Sequence, residues 1–306
     1  MNRVGRLNRR VRRAALACCL AHVLAPACAD PILDPAGPVG AGDRIILVDA
    51  LVIMLAIVIP TMIATLGFAW WYRESNHRAI YRPGFTYSGK IELIVWSIPT
   101  LVIFFLGGVI WIGSQRLDPF RPLSATATPL EIEVIAFDWK WLFIYPEQGV
   151  ASINRLVVPV GRPLHFRITS GSVFNVFFVP RLGSMIYAMN GMTTQLNLQA
   201  DRPGTYLGLS AQFSGDGFPY MKFDTVAMPA ERFSHWSASV KGATLDRAAM
   251  TGLLKQSVAA APYTYRGVDK SLFDAIASRR LGPGEGPASG KSGVEPQNAM
   301  LHAGTP

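Results

Sequence analysis

A loop rich in glycine and aromatic residues lies between two strand-like segments of this 306-residue chain. It reads "YLGLSAQFSGDGFPYMKF" from 206 to 223. Glycines let a backbone approach a ligand closely, as metal- and anion-binding loops require. The loop nevertheless contains neither cysteine nor histidine, which supply thiolate and imidazole ligands. Its one soft metal ligand is the thioether of Met221.

Other metal ligands are sparse in the long segment that follows the two apolar runs described below. No cysteine follows Cys28, so this segment has neither disulfides nor thiolate ligands. Its histidines are His165, His235 and His302, which lie far apart in the sequence. His165 alternates with apolar neighbours in a predicted strand, and we expect it to be a surface histidine that faces water.

Methionines form the remaining group of soft donors. The segment "MIYAMNGM" places Met185, Met189 and Met192 close together, and Met221 is a further candidate. A set of thioethers would select Cu(I). The alternative is that these flexible side chains fill an irregular edge of the core.

Nucleophilic catalysis is not indicated. Ser210 and Ser214 have no histidine in the same predicted region, and the chain has neither a G-x-S-x-G elbow nor a phosphate-binding P-loop. We therefore expect no catalytic residue in this chain.

Two acidic residues fall within apolar runs. Glu92 stands at the start of the second run, where a carboxylate facing lipid is costly and commonly marks a proton or ion path. The alternative is a charge at a helix N-terminus, favoured by the helix dipole and hydrated by headgroups. Asp49, near the outer end of the first run, is interpreted as a snorkelling or partner-pairing residue.

The apolar runs that carry these acids predict two transmembrane helices, at 45–72 and 91–113. Each is long enough for the roughly 20 residues that a bilayer requires. The loop between them, 73–90, holds four basic residues against one acid, Glu74. The positive-inside rule places this loop in the cytoplasm and the long C-terminal part in the periplasm of a bacterial inner-membrane protein.

The N-terminus has the composition of an export signal. Residues 1–27 contain six arginines and no acid, followed by an apolar run and the small-residue stretch "APAC". This segment contributes six of the nine excess positive charges, so the basic balance does not indicate nucleic-acid binding. Two alternatives remain for Cys28, which is either the acylated N-terminus of a lipoprotein or adjacent to a plain signal peptidase cut. Residues 28–44 then form a periplasmic N-terminal segment.

After a linker at 114–129, the pattern changes to short alternating runs. Eight predicted strands occupy 130–137, 139–145, 153–158, 164–169, 174–179, 194–199, 205–209 and 222–228. They predict a β-sandwich or barrel over 130–230. Residues 231–281 are helix-prone, and 282–306 form a Gly-, Pro- and Ser-rich tail predicted to be disordered. The fold class is therefore an α+β membrane protein.

This organisation resembles subunit II of the haem–copper respiratory oxidases, and most closely the cytochrome bo-type quinol oxidase branch. The similar segments are "FDWKWLFIYPEQG" (137–149), "FFVPRLGSMIYAMNGM" (177–192), "PGTYLG" (203–208) and "GFPYMKF" (217–223). The resemblance implies a cupredoxin-like β-sandwich. In the cytochrome c oxidase branch this domain carries a dinuclear copper centre.

The resemblance also implies that the copper centre is lost. The positions of its ligands are here Asn175, Ser210, Gln212, Ser214, Phe218 and Met221, of which only the methionine matches the copper-binding pattern. We therefore expect this chain to bind no metal and no other cofactor. Trp139 and Trp141 match an aromatic pair beside the copper centre, and here we interpret them as packing residues.

The implied activity is that of a proton-pumping ubiquinol oxidase, which oxidises quinol and reduces dioxygen to water. The resemblance places two haems and one copper in a partner, subunit I, with further small membrane subunits alongside. It also places Glu92 at the cytoplasmic entrance of a proton channel. Residues 231–281 match an extension of the quinol branch whose helices lie either on the sandwich or on subunit I.

Two other functions remain open from the sequence. One is a membrane-tethered periplasmic copper carrier that uses the methionine cluster. The other is a cytochrome c oxidase subunit II.

Overall fold

The computed structural model describes residues 31–80, 82–123, 127–255, 257–259 and 261–281. The predicted signal peptide, Cys28, the predicted tail and His302 lie outside the described residues.

Two long apolar helices precede the sandwich. Helix α1 spans Pro38–Trp71 and helix α2 spans Gly89–Arg116, and both are long and apolar enough to cross a membrane. The most apolar part of each helix is not buried by the rest of the chain. The helices approach closely at Gly113, where an added Cβ would lie 2.6 Å from Cδ1 of Ile46. Such small-residue contacts are common between membrane helices.

Eleven strands form two sheets within the described part of the chain. Strands β1 to β6 are Leu130–Phe137, Lys140–Tyr145, Val150–Ile153, Arg155–Pro159, Pro163–Ser170 and Asn175–Phe178. Strands β7 to β11 are Ile186–Ala188, Thr194–Gln199, Gly204–Ser210, Lys222–Met228 and Tyr263–Arg266.

The sheets are mixed and pack face to face as a sandwich. One has the order β11-β3-β2-β1-β5-β8 and the other β4-β10-β9-β6-β7. The pairs β1–β5 and β10–β4 are parallel, whereas the remaining neighbours are antiparallel. Aromatic rings fill the space between the sheets, and Phe177 stacks on Phe223 with centroids 5.3 Å apart.

The segment after β10 packs on the sandwich, and its two later helices cover the outer face of the six-stranded sheet. It contains helices α3 (Ala230–Ser239), α4 (Arg247–Leu253) and α5 (Leu272–Ala277). Buried side chains of α4 and α5 form a second core with those of β1, β2 and β3 that point away from the sandwich interior. The extension therefore lies on the sandwich, which is one of the two placements that the sequence left open. Strand β11 of the extension also adds an edge strand to the six-stranded sheet.

The residues just before and within the first turn of α1 are bound to the sandwich. Arg181 and Arg202 both form ion pairs with Asp34. The backbone N–H of Ala36 donates to the carbonyl of Arg181 at 2.6 Å, and that of Gly40 donates to the carbonyl of Leu182 at 3.0 Å. We call residues 34–40 the N-terminal strap. The sandwich is thus held at the N-terminus of α1 as well as through the linker after α2.

One predicted strand is wrong in its extent. The run 153–158 is divided between β3 and β4, which belong to different sheets. Asn154 separates them, with a left-handed φ of 53°. Its side chain accepts a hydrogen bond from the backbone N–H of Trp141 at 2.8 Å, which stabilises this break.

Candidate functional site

The glycine-rich loop connects β9 to β10 at one end of the sandwich. Ser210 ends β9 and donates its backbone N–H to the carbonyl of Met221 at 3.0 Å, which closes the base of the loop. A short 3-10 helix spans Phe218–Tyr220. Gly215 adopts a φ of 98°, a conformation that favours glycine.

Two of the residues at the predicted copper-ligand positions form a buried amide–hydroxyl pair. Asn175 begins β6 and is fully buried, and Ser210 is 3% exposed. The Oγ atom of Ser210 lies 3.2 Å from Oδ1 of Asn175, and the backbone N–H of Val176 lies 3.4 Å from the same Oγ. The Nδ2 group of Asn175 donates to the carbonyl of Val173 at 3.0 Å. The polar atoms at these two positions are therefore satisfied by each other and by the backbone.

Two further residues at these positions, Ser214 and Met221, contact each other, and Ser214 also binds an indole ring. The hydroxyl of Ser214 lies 3.6 Å from the sulfur of Met221, which is 1% exposed. The Nε1 group of Trp139 donates to the carbonyl of Ser214 at 3.0 Å. Its ring lies against Gly217, where an added Cβ would stand 2.0 Å from Cδ2 of the indole. Gly217 is therefore required for this close packing.

The side chains at the two remaining positions lie outside this network, although the carbonyl of Gln212 lies 3.3 Å from Oγ of Ser210. Gln212 is exposed, whereas Phe218 is half-buried and its ring centroid lies 5.6 Å from that of Phe213. The structure thus brings Asn175, Ser210 and Met221 together at the base of the loop. Ser214 joins them through the contact of its hydroxyl with the Met221 sulfur.

This set of side chains does not fit a dinuclear copper centre. Such a centre needs thiolates that carry negative charge and soft donor atoms. The loop offers neutral hydroxyl and amide groups that already make hydrogen bonds, and one thioether. No group of three or more histidine, cysteine, aspartate or glutamate side chains comes together among the residues that the structure describes.

The histidines in the described part of the chain do not form a metal site. His165 is less exposed than predicted, because its Nδ1 atom lies 2.9 Å from Oδ1 of Asn197 and its side chain is only 22% exposed. His165 is thus a partly exposed surface residue that also contacts a neighbouring side chain. His235 is exposed on α3.

The methionines are not enclosed together either. Met185 and Met192 are 53% and 52% exposed, whereas Met221 is buried at the base of the loop. A Cu(I) site would need these thioethers to converge on one enclosed position.

Glu92 lies in the first turn of α2 and is exposed. Its carboxylate has no hydrogen bond or ion pair with any residue in the described ranges. A carboxylate in this position faces lipid, headgroups or a partner protein, and only an aqueous or polar partner avoids a large desolvation cost. Asp49 is likewise exposed, on α1.

One ionisable cluster was not predicted from the sequence. Glu133 on β1 is 8% exposed, and its Oε1 atom accepts a hydrogen bond from Arg167 at 2.8 Å. The other end of the same guanidinium donates to Asp274 on α5, also at 2.8 Å. Burial raises the pKa of Glu133 to about 7, against the opposing charge of Arg167. The position lies on the outer face of β1, and the side chains of the covering extension bury it.

The chain matches the family model described as cytochrome c oxidase subunit II, periplasmic domain, over residues 145–227. It is 47% identical to ubiquinol oxidase subunit 2 of Acetobacter aceti over 261 residues, which cover 84% of this chain and 85% of the relative. It is 41% identical to cytochrome bo(3) ubiquinol oxidase subunit 2 of Pseudomonas aeruginosa over 287 residues, covering 90% of this chain and 87% of the relative.

Solved structures give a weaker likeness. The periplasmic domain of subunit II of cytochrome oxidase from Bradyrhizobium japonicum is 22% identical, with a TM-score of 0.36. The match covers 38% of this chain and 96% of that domain.

Proposed function

This chain belongs to the ubiquinol oxidase subunit 2 family, and from that premise we propose that it has no redox centre of its own. It is subunit 2 of a ubiquinol oxidase, an oxidoreductase complex of the respiratory chain, as the resemblance in its sequence predicted. Neither a copper carrier nor a cytochrome c oxidase subunit is favoured by the relatives.

The observation that carries the proposal is the content of the loop. The positions that would hold copper contain hydrogen-bonded amide and hydroxyl groups, a phenyl ring and one thioether. Electrons from a soluble cytochrome would have no copper relay in this domain. The complex therefore takes its electrons from membrane quinol, and these electrons pass directly to haem in subunit I. Subunit I supplies the two haems and the single copper where dioxygen is reduced to water.

As a subunit of an oxidase complex, the chain associates with other oxidase subunits. We assign the haem-bearing subunit I as its main partner, with further small membrane subunits and lipid around the two helices. The exposed apolar surfaces of α1 and α2 support this assignment, because such surfaces require lipid or protein around them.

The chain is an inner-membrane subunit with a periplasmic sandwich. For its topology we propose two passes, with the loop between α1 and α2 in the cytoplasm. The loop contains Arg73, Arg78, Arg82 and Lys90 and a single acid, which supports this orientation.

We assign Glu92 to proton entry. In the proposed orientation the first turn of α2 lies at the cytoplasmic membrane surface, and the carboxylate is exposed. An exposed carboxylate at this depth can collect protons from the cytoplasm and pass them to a channel whose other walls belong to subunit I.

For Cys28 we propose acylation after cleavage of the signal peptide. Support comes from the "APAC" sequence and the arginine-rich segment before it. Intact mass of the mature subunit distinguishes a diacylglyceryl-modified N-terminus from an unmodified one, and the unmodified mass would contradict the proposal.

The proposed electron path is tested with the purified complex. Oxygen uptake is measured with reduced ubiquinol and, separately, with reduced cytochrome c, and copper and haem are quantified in the same preparation. We expect uptake with ubiquinol alone and one copper per complex. Uptake driven by cytochrome c, or two further coppers with a mixed-valence spectrum, would refute the proposal.

A further inference from the structure

A cavity of about 590 Å³ opens between the loop-side ends of α1 and α2. Its volume lies within the roughly 300–1,000 Å³ of small-molecule sites. Two arginines line it together with six large apolar or aromatic residues. The lining residues are Phe68, Trp71, Tyr72, Arg78, Ile80, Arg82, Phe85 and Ile91.

The two arginines have no anionic partner in the described ranges. Within the described residues, neither Arg78 nor Arg82 forms an ion pair or donates a side-chain hydrogen bond. No acidic side chain lines the cavity. Two guanidinium groups therefore stand beside an apolar cavity with their hydrogen-bonding capacity unused, which favours an anionic ligand.

Arg73 in the same loop provides a contrast. Its guanidinium donates to the hydroxyl of Ser75 at 3.0 Å and to the carbonyl of Trp70 at 2.9 Å. It also lies 4.8 Å from the centroid of the Trp70 ring. The hydrogen-bonding groups of Arg73 thus find partners within the chain. Arg73 therefore does not need an external ligand, in contrast to Arg78 and Arg82.

The apolar side chains that line the cavity are largely exposed. The rings of Phe68 and Phe85 are 64% and 59% exposed, and Ile80 is 69% exposed. Because α1 and α2 cross the membrane, these side chains lie at the boundary between headgroups and acyl chains. A ligand that meets both halves of the lining carries a negative charge at one end and hydrocarbon at the other.

We propose that this cavity binds an anionic phospholipid, with its phosphate on Arg78 and Arg82 and its acyl chains over the aromatic and aliphatic residues. Basic pockets between membrane helices commonly bind such headgroups. The inference uses neither the proton role of Glu92 nor the copper-free loop, and it stands if either of those proposals fails.

The test uses the intact oxidase in detergent and a phosphatidylglycerol that carries a photoactivatable acyl chain. Cross-linked peptides are mapped by mass spectrometry, with unlabelled phosphatidylglycerol, phosphatidylethanolamine and inorganic phosphate as competitors. We expect labelling within residues 68–91 that phosphatidylglycerol alone displaces. The variant Arg78→Gln/Arg82→Gln should weaken the apparent affinity by about 30-fold, since each basic residue near the surface contributes about fivefold.

Two matched variants complete the experiment. Arg73→Gln/Lys90→Gln removes the same charge from the loop and should keep the labelling, and Arg78→Lys/Arg82→Lys should keep most of it. The proposal is overturned by equal displacement with phosphatidylethanolamine, which indicates bulk lipid. It is equally overturned by displacement with inorganic phosphate, by equal loss in both Gln variants, or by a partner subunit that fills the cavity and prevents labelling.

Discussion

The hydroxyl of Ser210 lies 3.2 Å from the amide oxygen of Asn175, although the two residues are 35 positions apart in the sequence. Both side chains are buried. By the resemblance in the sequence, we propose that they occupy two of the positions where a copper-binding relative has a thiolate and an imidazole. A hydrogen-bonded pair therefore stabilises the end of the sandwich where a metal centre would otherwise do so.

The first prediction concerns this pair. Ser210→Ala removes the hydroxyl and leaves Oδ1 of Asn175 buried without its partner, so the free energy of unfolding should fall by about 1–2 kcal/mol. Ser214→Ala is the matched control, because that hydroxyl contacts only a sulfur atom at 3.6 Å. Denaturant unfolding of the full chain in detergent, followed by tryptophan fluorescence, measures both. Equal effects of the two substitutions would contradict the structural role of the pair.

The second prediction concerns Glu92. Glu92→Gln should slow quinol oxidation and proton uptake severalfold, because the amide cannot carry a proton into the complex. Glu74→Gln is the control, since it makes the same chemical change in the adjoining loop. Haem content and subunit composition should be unchanged in both variants. Wild-type turnover and proton uptake in Glu92→Gln would show that this carboxylate is only a helix-end charge.

The third prediction is a dependence of stability on pH. Burial raises the pKa of Glu133 from 4.5 to about 7, so the folded chain binds a proton more tightly than the unfolded chain. The stability gained from this proton is complete below pH 4.5 and is lost as the pH rises through about 7. In Glu133→Gln, thermal unfolding should therefore vary less over this range.

The control for this measurement is Glu231→Gln, in the exposed first turn of α3. It should keep the wild-type slope of melting temperature against pH. If Glu133→Gln also keeps that slope, the contact of Arg167 with Glu133 and Asp274 does not titrate in this range.

The fourth prediction concerns how the extension is held. Lys140 is 2% exposed, and its Nζ group donates to the carbonyl of Lys255 at 2.8 Å and to the hydroxyl of Ser257 at 2.6 Å. Lys140→Met removes these bonds and should raise amide hydrogen exchange after α4 on the order of tenfold. Lys222→Met, at an exposed position of β10, should leave exchange there unchanged. Unchanged exchange in Lys140→Met would mean that apolar packing alone holds the segment.

Much of the sandwich follows from local sequence. Predicted strands match β1, β8 and β10 residue for residue, because alternating apolar side chains and flanking turn residues mark both ends. The short β7 and the strand β11 were not predicted. β11 lies in a region whose composition favours helix, although its sequence "YTYR" carries the aromatic alternation of a strand.

The sequence also contains a signal that the outer face of the six-stranded sheet is covered, although it does not identify the covering segment. The run "VIAFDWKWLFIY" is apolar on both faces of β1 and β2, which is typical of a sheet buried on both sides. Which segment covers that face depends on long-range packing that no local pattern encodes. The burial of Glu133 follows from that packing, so a strand pattern alone could not predict its pKa.

The candidate site was placed by resemblance and not by spacing. Asn175 and Ser210 have no local pattern that links them, because their contact depends on the pairing of β6 with β9. The contact of Trp139 with the loop depends on a left-handed φ of 65°, which is uncommon for a bulky residue.

The N-terminal strap gives the sandwich a second attachment to the membrane helices. A domain joined to its membrane helices by one linker can swivel, whereas this one is fixed at two separate points by Asp34 and by the chain that leaves α2. Breaking both salt bridges of Asp34 would weaken the first of these attachments and leave the sandwich freer to rotate about the linker. Mechanical coupling between the sandwich and the membrane helices therefore depends on the N-terminal strap as well as on the linker after α2.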